Sequence, residues 1–117
     1  MFDLEHQVQV AICQYLDVRK VVYFAIPNGG KRNIVAATKL KKEGVKSGVP
    51  DLCIIHEGQA FFLEIKRPST LGKGKGRLSV AQKEMIARLE EACAEVKVVY
   101  SVADTIEAMI DWQINIL

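Results

Sequence analysis

Apolar residues along this chain keep two rhythms, one helical and one extended, and they alternate in blocks. Leu4, Val8, Ala11, Ile12 and Tyr15 recur every three or four residues behind Asp3, a residue type suited to an N-cap. A first helix is therefore predicted to run to about Asp17, with Glu5 and Gln9 bordering its buried stripe. The run 21–26 is β-branched and aromatic, and Pro27-Asn28-Gly29-Gly30 breaks it, which predicts a strand and a turn. Ile34, Ala37 and Leu40 predict a helix over 33–43 that stops at Gly44. A loop over 45–50 leads into a strand over 51–55, Glu57-Gly58 turns the chain, and 60–66 returns as another strand. Beyond a polar Gly/Lys loop, Ser79 and Gln82 form a capping box for a helix to about Ala94. Residues 97–100 make the last strand, and Ser101 with Asp104 caps a final helix ending near Trp112. The order is α-β-α-β-β-α-β-α, with no internal repeat. Strands apolar on both faces need cover on both sides, so the fold class is an α/β sandwich.

Pairing the two central strands concentrates charge. A two- or four-residue loop centred on Glu57-Gly58 sets His56 opposite Gln59 and therefore Asp51 opposite Glu64. Directly opposed side chains have Cβ atoms about 4.5–5.5 Å apart, where like charges repel. Alternation places Glu64 and Lys66 on one face and Leu63 and Ile65 on the other. Three ionisable groups set among Leu52, Cys53, Ile54, Phe61, Phe62 and Leu63 are costly to desolvate unless something compensates. A divalent cation would compensate, and hard carboxylate oxygens suit Mg2+ or Mn2+. The plainer alternative is a Glu64–Lys66 pair at a sheet edge, contributing about 0–1 kcal/mol. Glu-Gly is not a favoured two-residue hairpin sequence, and a three- or five-residue loop would shift the register.

Composition narrows the class. At 117 residues and 13.0 kDa, residues 1–117 are expected to form one domain around one core. The longest uncharged apolar run, 21–27, falls short of the ~20 residues of a membrane span, so no membrane partner is expected. The start, Met1-Phe2-Asp3-Leu4-Glu5, carries acids where a secretory signal carries positive charge, which points to a cytoplasmic protein. Cys13, Cys53 and Cys93 are odd in number and widely spaced, which predicts reduced core thiols rather than disulfides or metal clusters.

The net charge of +2 hides an uneven distribution. Lys31, Arg32, Lys39, Lys41, Lys42 and Lys46 stand against the single acid Glu43, and the stretch 66–77 holds Lys66, Arg67, Lys73, Lys75 and Arg77 with no acid. One such run alone reads equally well as a solvated surface; two of them favour a phosphate-backbone binder. The segment 72–76 is a flexible basic flap or a plain linker. His6 and His56 lack zinc spacing, and neither a nucleophile elbow nor a phosphate-binding P-loop occurs.

Pro50-Asp51, twelve intervening residues and Glu64-Ile65-Lys66 resemble the active-site motif of the PD-(D/E)XK nuclease superfamily. Glu5, Pro27-Asn28-Gly29, Gly44, the run Lys46-Ser47-Gly48-Val49-Pro50-Asp51-Leu52, and Ser79 with Gln82 resemble its VRR-NUC branch, in the stand-alone form of phages and bacteria. The resemblance implies a restriction-endonuclease-like αβα sandwich with a central mixed sheet. It implies a Mg2+ or Mn2+ site built from Asp51, Glu64 and the Ile65 main-chain carbonyl, Lys66 beside the attacking water, and Glu5 and Gln82 completing the constellation. From the residues alone, Glu5 is as readily a first-turn carboxylate on the helix dipole, Gln82 a capping residue and Asn28 a turn residue. The expected substrate is DNA, branched DNA such as a Holliday junction by resemblance, cut by a homodimer. Asn28, Lys31, Arg32, Lys46, Ser47, Arg67, Lys73, Lys75 and Arg77 are the candidate nucleic-acid contacts. The alternative is a non-catalytic basic module that grips nucleic acid. A third reading takes the apolar run Ile110, Trp112, Ile114, Ile116 and Leu117 as a protein-docking surface.

Overall fold

Four helices and four strands follow one another as the apolar pattern predicts: α1 (Leu4–Val18), β1 (Val22–Ala25), α2 (Ile34–Lys42), β2 (Leu52–His56), β3 (Gln59–Ile65), α3 (Val80–Glu91), β4 (Glu95–Val99) and α4 (Val102–Asp111). The computed structural model describes residues 3–27 and 34–114. Among the described residues, no helix is long and apolar enough to cross a membrane. The strands form one mixed sheet in the order β1-β2-β3-β4, antiparallel except for the parallel pair β3 and β4. The α3 crossover between those two strands is what permits their parallel pairing.

The central hairpin has the expected register, with Leu52 opposite Leu63 and His56 opposite Gln59. Its two-residue turn closes because Glu57 and Gly58 both take positive φ, +49° and +79°, as a type I′ connection requires. Glutamate accepts there a backbone region that asparagine or glycine would adopt more cheaply.

The two faces of the sheet differ. Leu52, Ile54, Phe61, Leu63 and Ile65 turn one way and meet Ile12 and Leu16 of α1 and Ala108 and Met109 of α4 in the main core. Tyr23 ties α1 to β1, its hydroxyl donating to Asp17 Oδ1 at 2.8 Å. Cys53, Phe62 and Glu64 turn the other way, toward α3, which buries no residue of its own fully. Helices on both sides of a mixed sheet are the expected sandwich.

Several expectations need correction. The cysteines are free, but only Cys53 is a core thiol; Cys13 is half-buried and Cys93 is exposed in a left-handed conformation at φ +68°. The C-terminal apolar run does not form one docking surface, because Ile114 is buried and Trp112 stacks on Phe61 at 5.0 Å, while 115–117 lie outside the described residues. α2 buries no residue fully: Ile34 and Val35 are exposed, and Ala37 and Leu40 line an open groove of about 980 Å³ facing α3.

Candidate active site

The site begins with how the chain holds Asp51. Its main-chain N–H donates to Leu63 O at 3.1 Å and its carbonyl accepts from Ile26 N–H at 2.8 Å, so both neighbouring strands fix this position. Its side chain then turns back, and Oδ2 accepts from Ile65 N–H at 2.7 Å. β2 leaves the ladder at the preceding proline, and the carboxylate takes over the Ile65 donor that would otherwise lose a partner.

Glu64, whose carboxyl lies near that of Asp51, is 1% exposed. Burial raises its pKa most, the adjacent Asp51 carboxyl raises it further, Lys66 works against both, and the result is about 8. Its Oε2 accepts from Gln82 Nε2 at 3.4 Å, whereas its buried Oε1 has no hydrogen-bond partner. A buried carboxyl so placed holds its proton near neutral pH, and a positive ion beside the unpartnered oxygen would take that proton's place.

Gln82 reconciles the two roles the sequence left open. Its Oε1 accepts from Ser79 N–H at 2.8 Å while Ser79 Oγ accepts from Gln82 N–H at 3.1 Å, a complete capping box at the start of α3. With the oxygen end committed to the cap, only the amide nitrogen can face Glu64, so the cap orients the carboxylate.

Lys66 follows β3, nearly buried at 9% exposure, with its N–H donating to Val99 O at 3.0 Å. Its charge acts on both Glu64 and Glu5. Glu5, in the first turn of α1, is half-buried; burial raises its pKa, Lys66 opposes that, and Asp51 adds to it. It lines a cleft of about 410 Å³ with Lys66, Arg67 and Arg77. Glu5 thus adjoins the site, yet among the described residues no three His, Cys, Asp or Glu side chains gather closely enough to hold an ion. A cation here would have two carboxylates and a main-chain carbonyl from the protein, with water or substrate filling the rest. Mg2+ accepts that donor set, since it keeps several waters and needs only one or two carboxylates.

The basic residues fall on either side. Lys46 and Ser47 are exposed on the groove that Gln82 also lines. On the opposite side, Arg67, Lys75 and Arg77 share a second cleft with Lys83 and Tyr100, and the Lys75 ammonium lies 4.5 Å from the Tyr100 ring. Lys73 stands farther out on the same loop. Asn28, Lys31 and Arg32 lie outside the described residues. Lys41, counted in the first basic run, lines the first groove, and sequence reasoning missed Lys83, Arg88 and Tyr100 in these grooves. The signal for Tyr100 was available: a strand parallel to β3 must end beside Lys66.

An αβα sandwich whose central hairpin presents Asp51, Glu64 and Lys66 at one end defines the PD-(D/E)XK class of nuclease folds. Residues 4–103 match the VRR-NUC domain, and the chain belongs to that family. No curated protein and no solved structure shows a significant match. Family membership implies nuclease activity. The matched span contains Glu5, Asp51, Glu64, Lys66 and Gln82, whereas most of α4, which supplies Ala108 and Met109 to the core, lies beyond it.

Proposed function

We propose that this single-domain chain is an intracellular Mg2+- or Mn2+-dependent endonuclease that hydrolyses phosphodiester bonds in DNA, branched DNA in particular. The observation that carries the reading is Glu64 Oε1, buried and unpartnered beside Asp51 between two basic grooves. Asp51, Glu64 and the Ile65 carbonyl would hold the ion, with Glu5 tuning the charge next to it. A bound divalent ion lowers the pKa of its water toward ~7 and stabilises charge on phosphate oxygens.

The chain's own groups do the rest. Ile65 N–H fixes Asp51, the capped Gln82 amide fixes Glu64, and neither carboxylate has to reorganise when substrate arrives. The Lys66 ammonium, held in a nearly dry setting, positions the attacking water and neutralises negative charge that develops on the phosphate. Lys46, Ser47, Arg67, Lys75 and Arg77 hold the flanking backbone, contacts that position DNA without reading its sequence. The exposed Ile34 and Val35 of α2 would suit a homodimer, and two sites related by two-fold symmetry suit a two-fold branched substrate.

The test is cleavage of a labelled four-way junction and a linear duplex in Mg2+, Mn2+ or EDTA, beside Asp51→Asn, Glu64→Gln and Lys66→Ala. Metal-dependent cutting that falls on the order of 10³-fold in the two carboxylate variants is expected, equivalent to several kcal/mol of charge stabilisation. Undiminished cutting by those variants removes the site assignment. Salt-sensitive binding without turnover replaces it with the non-catalytic basic module.

A further inference from the structure

Between β3 and α3 the basic stretch is a small hairpin rather than a shapeless linker. Thr70 and Lys73 exchange both main-chain hydrogen bonds, at 2.8 and 2.9 Å, and Gly76 N–H donates to Arg67 O at 2.8 Å. The tip is Leu71-Gly72, and Gly72 takes the left-handed conformation at φ +78° that lets so short a turn close. At the foot, Arg67, Gly76 and Arg77 border the cleft shared with Lys66 and Glu5. Along one flank, Lys75 packs over the Tyr100 ring, which ties the hairpin to the end of β4.

The side chain at the tip is a leucine at 105% relative exposure, so it touches nothing in the fold and packing cannot account for it. Its stem carries Arg67, Lys73, Lys75 and Arg77, and the whole stretch 66–77 contains no acid. An apolar tip on a cationic stem, rooted at the edge of a hydrolytic site, matches what proteins use to pry base steps apart: cations on the phosphates and an aliphatic wedge between bases. Charge selects a polyanion as the occupant, and the wedge selects one with bases to separate.

We propose that hairpin 67–77 is a DNA wedge, with Leu71 inserting where base stacking is already interrupted and Arg67, Lys73, Lys75 and Arg77 gripping the backbone on either side. Opening a base step costs least where it is mismatched, unpaired or at a branch. The wedge therefore discriminates by DNA shape and brings an interrupted site next to Lys66. This inference rests on the reading of the chain as a DNA nuclease for its substrate class, but not on the cutting step.

The experiment places 2-aminopurine at the branch point of a four-way junction and, separately, within a continuous duplex, and follows fluorescence at saturating protein, saturation being set by anisotropy. Wild type is expected to raise the branch-point signal and leave the duplex signal flat. Leu71→Ala is expected to abolish that rise, keep duplex affinity within about twofold, and lower the junction-over-duplex cleavage ratio on the order of tenfold. Leu71→Phe should restore the rise. A fully exposed side chain leaves folding intact in both variants. A fluorescence rise and cleavage ratio unchanged in Leu71→Ala overturn the wedge, as does failure to bind either DNA. A shift in the gel-filtration volume of DNA-free Leu71→Ala also overturns it, because Leu71 would then be meeting a second copy. Unstacking without cutting refutes the nuclease reading alone; cutting without unstacking refutes the wedge alone.

Discussion

Leu63 and Glu64 are neighbours on β3, equally buried, and their surroundings are opposite. Leu63 joins an apolar layer packed against α1 and α4. Glu64 faces α3 with one carboxylate oxygen unpaired and with Asp51 and Lys66 nearby. One face of the hairpin therefore supplies stability, and the other spends some of it to keep charge in place. Residues one step apart on a strand should respond oppositely to substitution, a consequence of the two-residue repeat.

The sharpest contrast is between truncation on the two faces. Leu63→Ala is expected to cost about 2–5 kcal/mol, because it removes a fully buried side chain from a packed layer. Glu64→Gln should cost little in metal-free protein near neutral pH, where the carboxyl is largely protonated, and should stabilise it above about pH 8, where it removes a buried charge. Urea unfolding in EDTA measures both, and a loss in Glu64→Gln comparable to that in Leu63→Ala would erase the distinction between the faces.

Next in size is the pH dependence of the metal-free chain. Glu64 has a folded pKa of about 8 against an ordinary 4.5. A raised carboxyl pKa means stability is fully present below 4.5 and is lost as pH rises through 8, at no more than about 1.4 kcal/mol per pH unit. Thermal midpoints in EDTA should fall between pH 5 and 8, Glu64→Gln should flatten the decline, and Mg2+ should oppose it in wild type. A midpoint that rises over this range contradicts the charge assignment.

Gly48 probes the contact that holds the charged face together. A Cβ there would meet Ala81 O at 2.3 Å, with the backbone already at φ +79°. Gly48→Ala is expected to cost about 1–3 kcal/mol and, by moving the start of α3, to weaken cleavage through Gln82. Smallest is Cys93→Gly, at the left-handed position after α3, where glycine should gain about 0.5–1 kcal/mol with cleavage unchanged.

How much of this was legible in the sequence follows from what kind of interaction decides each feature. The hairpin register that brings the Asp51 and Glu64 carboxyls near one another was legible because strand alternation and a two-residue turn leave one register, even with glutamate in an unfavoured turn position. The capping box was legible too, since it is local. The bond from Gln82 to Glu64 was not, because it depends on how α3 docks over the sheet. The Ile34, Ala37 and Leu40 stripe predicted a helix correctly but could not reveal that α2 fully buries none of its residues, since periodicity reports a face and not its partner. Leu71 was invisible for the opposite reason: a lone leucine among glycines and lysines carries no periodicity, and only its full exposure on a folded hairpin makes it notable.

The most direct measurement is calorimetric titration of Mn2+ into wild type, Asp51→Asn and Glu64→Gln, each first shown to be folded by circular dichroism. Uptake by wild type that disappears in both variants is the expected result. Equal uptake by all three folded proteins, or none by wild type with DNA present, would mean that the buried carboxylates do not share an ion.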